Sequence, residues 1–240
     1  MTTPDPHLQA TLNELMRTSS TSNPALSALL DDYATEHRVT AYVCALFLLA
    51  LGALSVFCWK RLWSAPSAAS SNWTAERKTY LSFAVCSGVV GLLLAVVIGA
   101  NVTNARSPRE GFSGSIGLIS TPEVGTNTDR LHKAFDVWLQ SGRREMPSVV
   151  RSAIDKRRSW QRPKAIICSV LLAGFVVLSA RIWGTRMQRA RLAESGARRS
   201  GRAHLAAGLG AVFVCLALML MVVGNASASF APVTLTLLFG

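Results

Sequence analysis

Two hundred and forty residues allow one domain, or at most two. Half are apolar, only 16% are charged and the mean hydropathy is +0.32; a soluble domain carries about a quarter charged residues, so disorder is excluded and an ordinary soluble enzyme is disfavoured. The formal charge is nonetheless +12, from 25 Lys and Arg against 13 Asp and Glu, and a chain both apolar and basic points to a membrane protein with its charges confined to loops.

Residues 1–38 read as a polar, net acidic tail. Leu8, Leu12, Leu15 and Met16 recur at i, i+4, i+7 and i+8, which predicts a short amphipathic helix. The polar run 18–23 and Pro24 break it, and Leu26, Leu29, Leu30 and Tyr33 form a second stripe able to run on into the next segment. The tail lacks the short apolar core of a cleavable signal, so the first span is expected to act as its own insertion signal.

A spanning helix needs roughly 20 mostly apolar residues, enough to cover about 30 Å at 1.5 Å per residue. Residues 39–59 meet that test without a charge and are assigned as transmembrane helix 1. A basic loop, 60–78, leads to transmembrane helix 2 at 79–100. A soluble bundle would keep a polar stripe along each helix, and these runs have none.

The long loop, 101–164, opens irregularly around Gly111, Gly114, Gly117 and Pro122. Two helices are expected after that. Thr126 or Thr128 can cap one running through Gln140, with Leu131, Phe135 and Trp138 on a single face and Gly142 as its stop. Pro147 opens the other, which carries Val150, Ile154 and a basic cluster (Arg151, Lys156, Arg157, Arg158, Arg162, Lys164) and is expected to end before Pro163. Its amphipathic pattern is expected to make it either a helix lying at the headgroup level or, equally, a solvated basic linker.

Transmembrane helix 3 occupies 165–183, where Arg181 can snorkel to the headgroups. An Arg-rich loop, 184–202, precedes transmembrane helix 4 at 203–224. The apolar tail 225–240 is too short to span and too apolar to be free in water, so lipid or a partner is expected to receive it. Tyr42, Trp59, Trp63, Tyr80, Trp160 and Trp183 stand at or near span ends, as an interfacial aromatic belt would.

Charge sets the expected orientation. The segments 60–78 and 181–202 together hold eleven Lys and Arg in about forty residues, against fourteen in the far longer remainder outside the spans. Basic residues near span ends favour the cytoplasm, so both termini and the long loop are expected outside. The basic cluster ahead of the third span opposes that reading. Twenty of the 25 basic residues are Arg, a bias compatible with a GC-rich bacterial gene and hence a bacterial cytoplasmic membrane.

Chemical motifs are sparse. Cys44, Cys58, Cys86, Cys168 and Cys215 lie in or at the ends of spans and form no C-x-x-C pair, which favours small buried residues over a redox or metal site. His7, His37, His132 and His204 lack metal-ligand spacing. Span interiors contain no Asp, Glu, Lys or His and no internal proline, so a proton-coupled transporter is disfavoured. No phosphate-binding glycine motif occurs. Neither a cofactor nor a nucleic-acid partner is expected. Arg186, Arg189, Arg191, Arg198, Arg199 and Arg202 read as a topology determinant and a contact for anionic lipid headgroups.

One packing signal stands out. Ser87, Gly91, Ala95 and Gly99 repeat every four residues along the second span, a small-residue ladder of the kind that lets helix backbones approach closely in lipid. The expectation is an all-α integral membrane protein with four transmembrane helices and short amphipathic helices in the N-terminal tail and second loop. By elimination, its expected role is a non-catalytic accessory or interaction subunit of a larger membrane assembly, meeting a membrane-protein partner or a second copy of itself. A channel or transporter component whose pore forms on oligomerisation is the alternative. A membrane enzyme using Asp129, His132 and Asp136 of the loop is the third.

Overall fold

The computed structural model describes residues 5–18, 23–64, 75–192 and 198–239. The described chain is all-helical, with no strand among the described residues. Its helices are α1 (Pro6–Arg17), α2 (Pro24–Ser64), α3 (Ala75–Arg106), α4 (Pro108–Ser113), α5 (Asn127–Ser141), α6 (Ser148–Leu192), α7 (Arg198–Phe230) and α8 (Pro232–Phe239), with a 3-10 turn at Ile116–Leu118. Four of them, α2, α3, α6 and α7, are long and apolar enough to cross a membrane, as a multi-pass membrane protein requires.

These helices outrun the spans they contain. Helix α2 has 41 residues and α6 has 45, about 60 Å or more at 1.5 Å per residue and roughly twice the hydrocarbon thickness. The chain divides into two compact units: a loop unit of Met1–Tyr42, Ile98–Ala165 and Gly224–Gly240, and a span unit of Val43–Val97 and Ile166–Val223. Asp32 and Glu36 therefore precede the spanning part of α2 and belong to the loop unit.

The core of the loop unit joins three stretches far apart in sequence. Leu8 and Leu12 of α1, Leu29 and Tyr33 of α2, and Phe112 all contribute to it. So do Leu131, Phe135, Trp138 and Leu139 of α5, Val150 and Ile154 of α6, and Val233 and Leu237 of α8. Helix α1 carries the expected stripe, with Leu15 and Met16 packed at its margin. The Thr126 Oγ1 accepts from the Asp129 N–H (3.2 Å) and caps α5, which stops at Gly142 with φ of 63°, a left-handed conformation that glycine adopts without a Cβ clash.

Three expectations are revised. Pro163 does not end a helix: α6 runs unbroken through it into the third span. Proline removes one N–H and crowds the carbonyl four residues back, yet the helix continues past it to Leu192. Val150 and Ile154 face a protein core, so this stretch does not lie flat on headgroups. The tail 225–240 needs no outside receptor, because α7 continues to Phe230 and α8 packs Val233 and Leu237 into the chain's own core.

The span unit has its own contacts. Cys58 and Leu62 of α2 pack on Tyr80 and Ala84 of α3, and the Ser55 hydroxyl donates to the Ala84 carbonyl (3.1 Å). The Trp183 ring meets Phe83 edge to face at 4.8 Å and lies against α7 where Gly208 has no side chain.

Phe135 is fully buried at the centre of the loop-unit core. Phe135→Ala should cost about 3–5 kcal/mol, read as a lower unfolding midpoint of the detergent-solubilised chain; an unchanged midpoint would contradict this core.

Candidate functional site

The loop unit's polar side chains fasten its helices to one another. Asp5 precedes α1, and its Oδ1 accepts from the N–H groups of His7 (3.2 Å) and Leu8 (3.3 Å). Its Oδ2 lies 3.1 Å from Nδ1 of the buried His132 on α5. One carboxylate thus caps α1 and ties it to α5. Asn23 does the same for α2: Oδ1 accepts from the Leu26 N–H (3.0 Å) while Nδ2 donates to the Leu139 carbonyl (2.9 Å) at the end of α5. Arg109 donates to the carbonyls of Leu15 (3.2 Å) and Met16 (3.0 Å), satisfying the end of α1.

Helix α8 is held at both ends. Asp32 Oδ2 accepts from the Thr234 N–H (2.8 Å), and Arg157 donates to the Phe239 carbonyl (2.9 Å). An acid at the N-terminus and a base at the C-terminus match the helix dipole. Towards the first span the pairing continues: His37 Nδ1 lies 2.7 Å from Asn101 Oδ1, and the Thr40 and Ser227 hydroxyls are 2.7 Å apart. Tyr33 packs edge-on against both His37 and Phe112.

Two acids on this stripe are perturbed. Burial raises the Asp32 carboxyl above its usual range, although the N–H groups of Thr234 and Val233 and the charge of Arg158 pull it down. Burial, reinforced by the charge of Asp32 one turn away, pushes Glu36 up to about 7. Neither acid is singled out by any motif. Their signal in the sequence is positional, since Asp32 and Glu36 interrupt the apolar stripe of Leu29 and Tyr33.

The residues named for an enzymatic role are each engaged locally. His132 holds Asp5. Asp129 accepts from Lys133 Nζ (2.9 Å) and the Gly125 N–H (3.0 Å), and these bonds, Lys133 first, hold its carboxyl below the usual range. Asp136 accepts from Gln140 (2.9 Å). None of the three shares a partner with another. Among the described residues no group of three or more His, Cys, Asp and Glu could hold a metal ion. The five cysteines are free thiols, with Cys44, Cys58 and Cys168 buried. An open groove runs along the outer face of α6 past Ser148, Arg151, Ser152, Asp155, Lys156 and Ser159.

The small-residue ladder divides. Ser87 and Gly91 are buried, and a Cβ built on Gly91 would stand 3.3 Å from Cδ1 of Leu48 on α2. Ala95 and Gly99 are exposed, and nothing lies within 4 Å of a Cβ on Gly99. Four residues advance an α-helix by about 400°, so a strict four-residue ladder drifts around the helix by about 40° per step. The buried face instead follows Tyr80, Ala84, Ser87 and Gly91. Of the six arginines expected at anionic headgroups, Arg186, Arg189 and Arg191 fall on the end of α6 and Arg198, Arg199 and Arg202 on the start of α7; their side chains lie outside the described residues.

Compared with family models, curated proteins and solved structures, the chain has no match.

Two outcomes follow from this geometry. Gly91→Leu should lower the melting point of the solubilised chain while Gly99→Leu leaves it unchanged, and equal effects would contradict the α2–α3 contact. In the unfolded chain Glu36 ionises near pH 4.3, whereas in the folded chain it ionises only near 7. The folded state holds that proton more tightly, so the stabilisation is complete below the unfolded value and is lost as pH rises towards 7. The melting point should fall over that interval, and Glu36→Gln should flatten the fall; an unaltered profile would show that Glu36 is not its source.

Proposed function

We propose that this chain is a non-catalytic accessory or interaction subunit of a larger membrane assembly, set in a bacterial cytoplasmic membrane with both termini and the long loop outside. The observation that carries the reading is the loop unit itself. The tail, the long loop and residues 232–239 share one core, and their charged side chains cap and join helices. Such a unit offers a partner a fixed surface. Apolar surface is also open along the spans, where Leu92, Val96 and Leu220 are each more than two-thirds exposed and can meet lipid, a membrane-protein partner or a second copy. The Arg-rich 184–202 stretch would meet anionic headgroups on the cytoplasmic side.

The orientation gains support from α6. Arg157 is bonded to Phe239 and Arg158 acts on Asp32. Two of the six basic residues that oppose the outside placement thus have a role within the fold.

Purification of the full chain in mild detergent after crosslinking should recover it within a larger complex; recovery as a monomer alone would overturn the subunit role. Single cysteines at positions 20, 70, 120 and 192 in a cysteine-free background should label from outside at 20 and 120 only. Labelling of position 70 from outside would reverse the orientation.

A further inference from the structure

Within the loop unit, α2 holds the corner between α7 and α8 by two polar contacts. The Thr40 hydroxyl lies 2.7 Å from that of Ser227 near the end of α7. One contact further from the spans, Asp32 Oδ2 accepts from the Thr234 N–H (2.8 Å) in the first turn of α8. Glu36 stands between them. Each step of four residues advances an α-helix by about 6 Å and turns it by about 40°, so Glu36 is midway between Asp32 and Thr40 in both height and angle. It therefore faces the stretch that joins their partners. Ala228, Ser229, Ala231, Pro232 and Val233 of that stretch are buried, and Glu36 itself is half-buried.

The corner has nothing to balance a charge at that position. Residues 224–239 contain no ionisable side chain. On α6, Arg157 is bonded to the Phe239 carbonyl at the far end of α8, and the charge of Arg158 acts on Asp32. On α2, Asp32 opposes a second negative charge, Asp31 and Arg38 are exposed, and Tyr33 and His37 are engaged with Phe112 and Asn101. Beyond the end of the α3 span, Arg106 and Glu110 are exposed and Arg109 is bonded to the carbonyls of Leu15 and Met16. Burial, with the charge of Asp32, thus keeps a proton on Glu36 up to about pH 7 while the corner is seated. Where the corner lifts, water reaches the carboxyl and the proton leaves nearer the ordinary value of about 4.3. The seated form has the higher value, so its advantage is complete below the ordinary value and is lost as pH rises towards 7.

We propose that Glu36 is a proton latch on the α7–α8 corner: its neutral carboxyl lets the corner seat on α2 between Asp32 and Thr40, and loss of the proton lets α8 lift from the core. The latch is closed in acid and loosened towards neutrality. Lifting withdraws Val233 and Leu237 from the shared core and uncovers the part of the α5 face on which α8 packs. The loop unit would therefore change its apolar surface with the pH of the compartment it faces, without altering the spans.

Deuterium exchange of the full chain in detergent tests this, followed at the amides of 233–239 and divided by the intrinsic exchange rate at each pH. Protection of α8 should fall by up to about tenfold per pH unit between about 5 and 7 and level off above that. It should also stay below the protection of the α5 amides at 131–139, because the corner lifts while α1 still covers α5. Glu36→Gln should largely remove the fall, whereas Asp31→Asn, at an exposed acid nearby, should keep it. A flat parental profile, or a fall undiminished in Glu36→Gln, would overturn the latch. So would equal protection of α8 and α5, which would mean that α8 opens only when the whole unit unfolds. Should Glu36→Gln fail to fold, the parental slope and the comparison of α8 with α5 decide by themselves.

Discussion

An even number of membrane crossings is the constraint on which the rest of this structure depends. Within hydrocarbon every backbone N–H and C=O must be satisfied inside the chain, which the four long apolar helices achieve. Four crossings return residues 1–38, 101–164 and 225–240 to a common side. Neither tail helix stands alone: α1 has 12 residues and α8 only eight, and isolated helices this short are marginal in water. Brought together, they share one core. That meeting also supports an even number of spans independently of hydropathy, since an odd number would have separated the tails.

Polar groups give this small core its particular arrangement. Apolar contacts alone would tolerate several ways of laying α1, α5 and α8 against one another. Asp5, Asn23, Asp32 and Arg157 each join a helix end to a second element, and displacing Asp5, Asn23 or Asp32 would leave a buried or part-buried group without its partner, at a cost of about 1–3 kcal/mol.

Much of this was legible in the sequence. Four uncharged runs set the spans, the Leu8–Leu12 spacing set α1, and Thr126 with Gly142 bounded α5. What escaped was decided by contacts between distant residues. Pro163 invites a local rule that favours a helix end, yet α6 runs through it into the third span. The 225–240 stretch looks like a free apolar tail until the α5 face it packs on is in place. Ala95 and Gly99 share a repeat with Ser87 and Gly91, yet they are exposed where the first two are buried against the chain itself. Asp32 and Glu36 carry no motif and become notable only once burial is known.

The shared core also dictates an order of events during biosynthesis. Leu8 and Leu237 belong to one cluster, yet more than two hundred residues and all four spans lie between them. Domains generally assemble as the chain emerges from its N-terminus, but here the part of the α5 face that α8 covers stays open until α7 has been inserted and α8 follows it. Closure of the core is therefore a record that insertion has been completed. A chain stalled with three crossings would leave α8 on the opposite side of the bilayer and that apolar face open, a state recognisable to a protease or chaperone.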